Sequence, residues 1–120
     1  MATVDHEIET LKWHREETWI VKWLTLTTTN DEGEAFEMPS ASDRSIHIIG
    51  TFGSGGTVHL QGSNDGTNWI ALTDPQGNAI TKTATFVEMV TELTRYVRPF
   101  VSAGDGTTDL DAFLLVKRVH

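Results

Sequence analysis

Turn-forming clusters limit what this chain can fold into. Gly53-Ser54-Gly55-Gly56, Asn64-Asp65-Gly66, Asp74-Pro75-Gln76-Gly77-Asn78 and Gly104-Asp105-Gly106-Thr107 interrupt it repeatedly. Each combines residues that tolerate positive φ, fix φ, or cap a turn with a side chain. The segments between them are too short for long helices and alternate apolar with polar positions, the period of a strand. Turns about every 8 to 12 residues, with about eight short strands between, predict an all-β sandwich or barrel.

The alternation assigns faces. In "TWIVKWLTLTTT", Trp19, Val21, Trp23 and Thr25 share one side, and Ile20, Lys22, Leu24 and Leu26 the other. Both sides carry apolar residues, so this strand is expected to be covered on both faces. "RSIHIIGTF" aligns Ile46, Ile48 and Phe52, and "TVHLQGS" turns Val58 and Leu60 inward. These two segments read as a hairpin across the Gly53–Gly56 turn, with His47 and His59 as cross-strand neighbours. "QGSNDGTNWIAL" reads as the next hairpin, with Asp65-Gly66 at its tip and Trp69 returning to the core. Phe86 and Glu88 oppose Val87 and Met89. In "RYVRPFVSA", Val97 and Val101 oppose Tyr96 and Phe100, and Pro99 places the strand at an edge or a bulge. Leu110, Ala112, Leu114 and Val116 face inward in the last strand.

Residues 1–17 differ. They are charged, lack Gly and Pro, and space Ile8, Leu11 and Trp13 loosely as a helix would. The expected organisation is an N-terminal arm, helical or extended, over residues 1–17 and a β-sandwich domain over 18–120. The arm lacks the apolar core of a signal peptide. No apolar run reaches the roughly 18 residues of a membrane span.

Nine Lys and Arg stand against 17 Asp and Glu, a formal charge of −8. That excess repels nucleic acid phosphates, so neither a nucleic acid nor a membrane partner is expected. There is no cysteine, hence no disulfide framework and no thiolate metal site. The histidines lack the H-x-x-x-H spacing of metal ligands, and Asp105, Asp109 and Asp111 do not form a calcium loop motif. "GTFGSGG" lacks the lysine and helix of a phosphate loop, and no nucleophile elbow occurs. No catalytic residues, metal or cofactor are expected, and the chain reads as a non-enzyme.

Two resemblances add to this reading. "VHLQGSNDGTNWIAL" with "TRYVRPFVS" is similar to the discoidin-like jelly roll. It implies a carbohydrate-binding module, possibly part of a phage fibre, with Asn64, Asp65, Asn68 and Trp69 at the sugar. "GTFGSGGTV", "GSNDGTNW", "LTDPQGNA" and "TRYVRP", in that order over about residues 18–118, resemble small capsid decoration, or cement, proteins of tailed bacteriophages. That resemblance implies a non-enzymatic sandwich, jelly-roll or immunoglobulin-like, on the capsid exterior. Made in the host bacterial cytoplasm, it would bridge neighbouring major capsid proteins as a dimer or trimer. Its expected contact residues are Trp13, His14, Arg15 and Trp19, in or beside the arm, with Arg44, Arg95 and Arg98. Trp13, in a charged segment, either docks on the domain or anchors in another subunit. The arginines suit carboxylate partners, which the chain's own Asp and Glu also supply.

Overall fold

A computed structural model describes residues 3–10, 18–37 and 39–118. Among these, twelve strands and no helix occur. The strands are β1 (Thr3–Val4), β2 (His6–Thr10), β3 (Thr18–Leu26), β4 (Glu32–Gly33), β5 (Phe36–Glu37) and β6 (Asp43–Thr51). They continue with β7 (Thr57–Ser63), β8 (Ile70–Ala71), β9 (Thr81–Lys82), β10 (Phe86–Met89), β11 (Tyr96–Ala103) and β12 (Asp109–Lys117).

The strands form two sheets. One runs β10-β6-β12-β3-β2, and the other runs β1-β4-β11-β7-β8, with β5 beside β11 and β9 beside β7. Of the long strands, β3, β6 and β12 lie in the five-stranded sheet and β7 and β11 in the other, and the last strand, β12, lies between β3 and β6. This two-sheet arrangement is a β-sandwich. It also corrects one expected pairing. β6 and β7 belong to opposite sheets, so the Gly53–Gly56 turn is an arch over the sandwich edge, and His47 and His59 are not neighbours. The second expected hairpin does form, with Gln61 opposite Ala71 and Gly62 opposite Ile70.

Both layers turn their alternate apolar side chains into one core. Val21, Trp23, Ile46, Ile48, Leu110, Ala112, Leu114 and Val116 come from one sheet, and Val58, Leu60, Val97 and Val101 from the other. Trp23 is fully buried, and its indole N–H donates to the Glu34 carbonyl at 2.9 Å. The Trp23 face is lost at Thr25, whose φ of 64° bulges the strand and turns Leu26 inward. Pro99 is not on an edge strand, because β11 has neighbours on both sides. Leu60, opposite Pro99, sends its N–H to Ile80 at 3.1 Å, away from β11. The Pro99 nitrogen therefore points to the other side, where the neighbouring strand is interrupted between β4 and β5. No ladder bond is lost there.

The N-terminal segment, where described, is extended. β2 pairs antiparallel with β3, and β1 pairs parallel with β4. The chain thus ties one flank of both sheets together, with no helix over residues 3–10. His6 packs edge-on against Trp23 and Phe36 at 6.1 and 5.8 Å between ring centres.

Candidate functional site

The outer faces of the two sheets differ in how far their own side chains satisfy them. On the seven-stranded sheet, Arg98 is held on all sides. Its Nη1 lies 2.8 Å from Glu32, its Nε donates to Gln61 at 3.0 Å, and its guanidinium sits 4.1 Å over the Trp69 ring. Arg95 pairs with Glu37 at 2.6 Å and lies 5.0 Å over Tyr96. Both nitrogens of His59 are bonded, to Thr81 at 2.9 Å and Ser102 at 2.7 Å, and burial pushes its pKa down. Trp69 is half-buried on this outer face and does not enter the core. Residue 71 shares an outward register with Gln61, and Trp69 has the same parity, so its ring lies across the sheet.

The tip beside Trp69 is equally committed. The Asp65 carboxylate accepts from the backbone N–H groups of Asn68 and Thr67, both at 2.8 Å, from the Asn68 amide at 2.7 Å and from the Ser63 hydroxyl at 2.9 Å. These bonds, led by that from the Asn68 backbone, hold its pKa far below the ordinary aspartate range. Asn64 accepts from the Arg95 backbone at 2.9 Å. Gly66 takes the positive φ of the turn, 80°. Asn64, Asp65 and Asn68 therefore build the turn, and of the four expected sugar contacts Trp69 alone offers free ring surface.

Among the described residues the outer face of the five-stranded sheet has no such closure. Val87 is 61 % exposed, Met89 50 % and Leu115 40 %. Register places them in rows across the strands. One row runs Val87, His47, Phe113, Lys22, Glu7, and the next runs Met89, Ser45, Leu115, Ile20, Glu9. Ile49 extends the apolar area beside Asp111. Three open hollows of about 310, 250 and 510 Å³ lie along this face. The largest is floored by Ile20, His47, Ile49 and Phe113, with Glu9 and Lys22 at its rim. Lys22 donates to Glu9 at 2.6 Å, which raises its pKa, and Glu7 adds to the effect. The two-sided apolar pattern of β3 is therefore not matched by cover on both faces. Leu24 is 39 % exposed, and Ile20 is only half-buried.

The expected contact residues scatter. Trp13, His14 and Arg15 lie outside the described residues. Trp19 is half-buried against the core, with Arg118 5.5 Å from its ring. Arg44 is not at the surface: it is 1 % exposed, donating to the carbonyls of Ala41 and Thr94 at 2.9 and 3.2 Å. Burial lowers its pKa. Among the described residues no three His, Cys, Asp or Glu side chains converge as metal ligands. The face that does form, on Ile20, Ile49, Val87, Met89, Phe113 and Leu115, was signalled in the sequence by apolar residues at the outward positions of four strands.

No family model, curated protein or solved structure matches this chain.

Proposed function

We propose that the chain is a structural virion protein that binds the outer surface of a phage capsid and stabilises it by bridging neighbouring major capsid proteins. The supporting observation is the uncovered apolar face of the five-stranded sheet, with Val87, Met89 and Leu115 open to solvent. A contiguous apolar area of this kind on a charged protein marks a protein-binding surface. The sequence resemblance to cement proteins supplies the shell as the partner. The formal charge of −8 suits the outside of a particle rather than contact with packaged DNA. Many copies, as dimers or trimers on local symmetry axes, multiply weak contacts through effective concentration.

The test is co-sedimentation of the purified chain with phage heads that lack it. Saturable binding at a fixed number of copies per capsomer, and heads that resist heat better when loaded, are the expected results. Failure to bind any head preparation refutes the proposal. The partly exposed Trp69 ring favours one other reading, a sugar-binding module. It predicts a glycan-array signal that Trp69→Ala removes.

A further inference from the structure

We infer that the apolar face of the five-stranded sheet takes a partner other than a second copy of this chain: a protein surface that is apolar opposite β10, β6 and β12 and basic along its rim. This rests on the shell-binding proposal and adds the chemistry of the surface that the shell must present.

The face is lopsided. Val87 and Met89 on β10, and Phe113 and Leu115 on β12, make one half apolar. Glu7 and Glu9 end the same rows on β2. Alternation puts Asp43 on the outward side at one strand end, and Asp109 and Asp111 at the other. These are five carboxylates, Glu7, Glu9, Asp43, Asp109 and Asp111. Among the described residues two lysines oppose them, Lys22 and Lys117. Lys22 is already bound to Glu9, and Lys117 stands across from Asp43.

A second copy fits this pattern poorly. Face-to-face pairing of identical surfaces needs a two-fold axis in the plane between them. An axis along the strands and through the middle of the sheet lays β2 of one copy over β10 of the other, so Glu7 and Glu9 lose water against Val87 and Met89. Unpaired charges are costly to desolvate. An axis shifted toward β10 spares the glutamates but covers only part of the face. An axis across the strands lays β2 over β2, carboxylate against carboxylate. A diagonal axis lays β2 over a strand end, where Asp109 and Asp111 stand on one side and Asp43 beside Lys117 on the other. A second copy also carries the same excess, 17 acidic against nine basic residues. A partner with lysine or arginine around an apolar centre meets both halves at once. Such complementarity steers encounter and fixes orientation.

The experiment pairs two measurements on the full chain, sedimentation equilibrium alone and titration onto phage heads that lack it, at low and high salt. Val87→Ser and Met89→Ser remove exposed apolar groups without touching the core, and each is expected to weaken head binding about tenfold. The double variant Glu7→Gln, Glu9→Gln is expected to weaken it several-fold at low salt and to flatten its salt dependence. Trp69→Ala, on the opposite face, is expected to bind like the parent. If the parent binds heads and both serine variants bind equally well, the inference about this face falls and shell binding stands. If the parent binds no heads, shell binding itself falls and takes this inference with it. Self-association that Val87→Ser abolishes makes the occupant a second copy and overturns the inference. Tighter binding by the glutamine variant excludes a basic rim.

Discussion

Gly33→Ala tests the closest packing in the sandwich. At Gly33 an added Cβ would lie 2.5 Å from Pro99 Cδ, 2.7 Å from Pro99 Cγ and 2.9 Å from Trp23 Cδ1. Ordinary contact between such carbons is about 3.5–4.0 Å, so something must move by roughly 1 Å. Neither neighbour yields easily. The Pro99 ring has no rotamer to change, and it sits in the central strand β11 opposite Leu60. Trp23 is fully buried and tethered through its indole N–H to the Glu34 carbonyl, one residue beyond the substitution. Overpacking of this kind costs about 1–3 kcal/mol. Two rigid neighbours place Gly33→Ala in the upper half, about 2–3 kcal/mol, or about 10 °C in melting temperature for a domain of this size.

Urea unfolding followed by tryptophan fluorescence measures the effect directly. Gly106→Ala is the control, because its added Cβ would meet nothing within 4 Å. That variant should stay within about 0.5 kcal/mol of the parent. If Gly33→Ala also falls within that range, the Trp23–Pro99 contact is soft, and the reasoning about the interrupted strand beside Pro99 is wrong.

Other substitutions probe other parts of the molecule. Thr25→Gly should stabilise by about 0.5–1 kcal/mol, measured by thermal melt, because a β-branched residue at φ 64° is strained and glycine is not. Asp105 has its pKa lowered to about 2 by hydrogen bonds, first from the Thr107 hydroxyl and then from the Ser54 and Thr107 backbone. A depressed carboxylate stabilises the fold above its unfolded pKa, near 4, and loses that contribution as pH falls toward 2. Asp105→Asn should therefore flatten the acid limb of a stability–pH curve between about pH 4 and 2. An unchanged limb counts against the Asp105 carboxylate, which accepts the Ser54 N–H at 2.8 Å, stabilising the Gly53–Gly56 arch. His59 has its pKa lowered by burial, so the fold favours its neutral ring. Stability is then present above the unfolded pKa of about 6.5 and declines as pH falls below it. His59→Gln should remove that decline. Trp69→Ala should cost about 0.5–2 kcal/mol by exposing Arg98, an effect that calorimetry resolves.

Much of the fold was legible in the sequence, and the reason is local. Alternation needs only a strand's own residues, so the inward sets Ile46 and Ile48, Val58 and Leu60, and Leu110 through Val116 could be read directly. The Asp65-Gly66 tip was legible for the same reason, since its bonds close within six residues. Which strand pairs with which was not. A Gly-rich turn serves a hairpin or an arch between sheets equally well, and both bury the same alternate residues. The β6–β7 pairing was misread on that account. "HEIET" in β2 is too short to show a period, and its strand state comes from pairing with β3. Arg44 was expected at a contact surface because arginine suits carboxylate partners, yet it is buried and two carbonyls take its donors at a strand end. Trp69 was expected inside because of its size. Just before β8, it shares the outward parity of Ala71, and there the Arg98 guanidinium supplies a partner.

The same limits explain why the candidate site was half seen. Apolar residues on both sides of β3 were visible in the sequence, and cover on both sides is the usual inference from them. In a two-layer sandwich only one face of each sheet can meet the other layer. An apolar outer face therefore needs a third layer, from the chain itself or from a partner. The seven-stranded sheet solves this internally. Trp69 and Phe100 flank Arg98, while Glu32 and Gln61 take its donors, and the centre of that face is closed by its own contacts. The five-stranded sheet leaves Val87, Met89 and Leu115 in water, with carboxylates around them. Such a rim opposes pairing of identical copies through this face while the apolar centre stays free. On the shell-binding proposal the capsid supplies the third layer, and the carboxylate rim, which opposes pairing between copies, sets the orientation in which that layer is met.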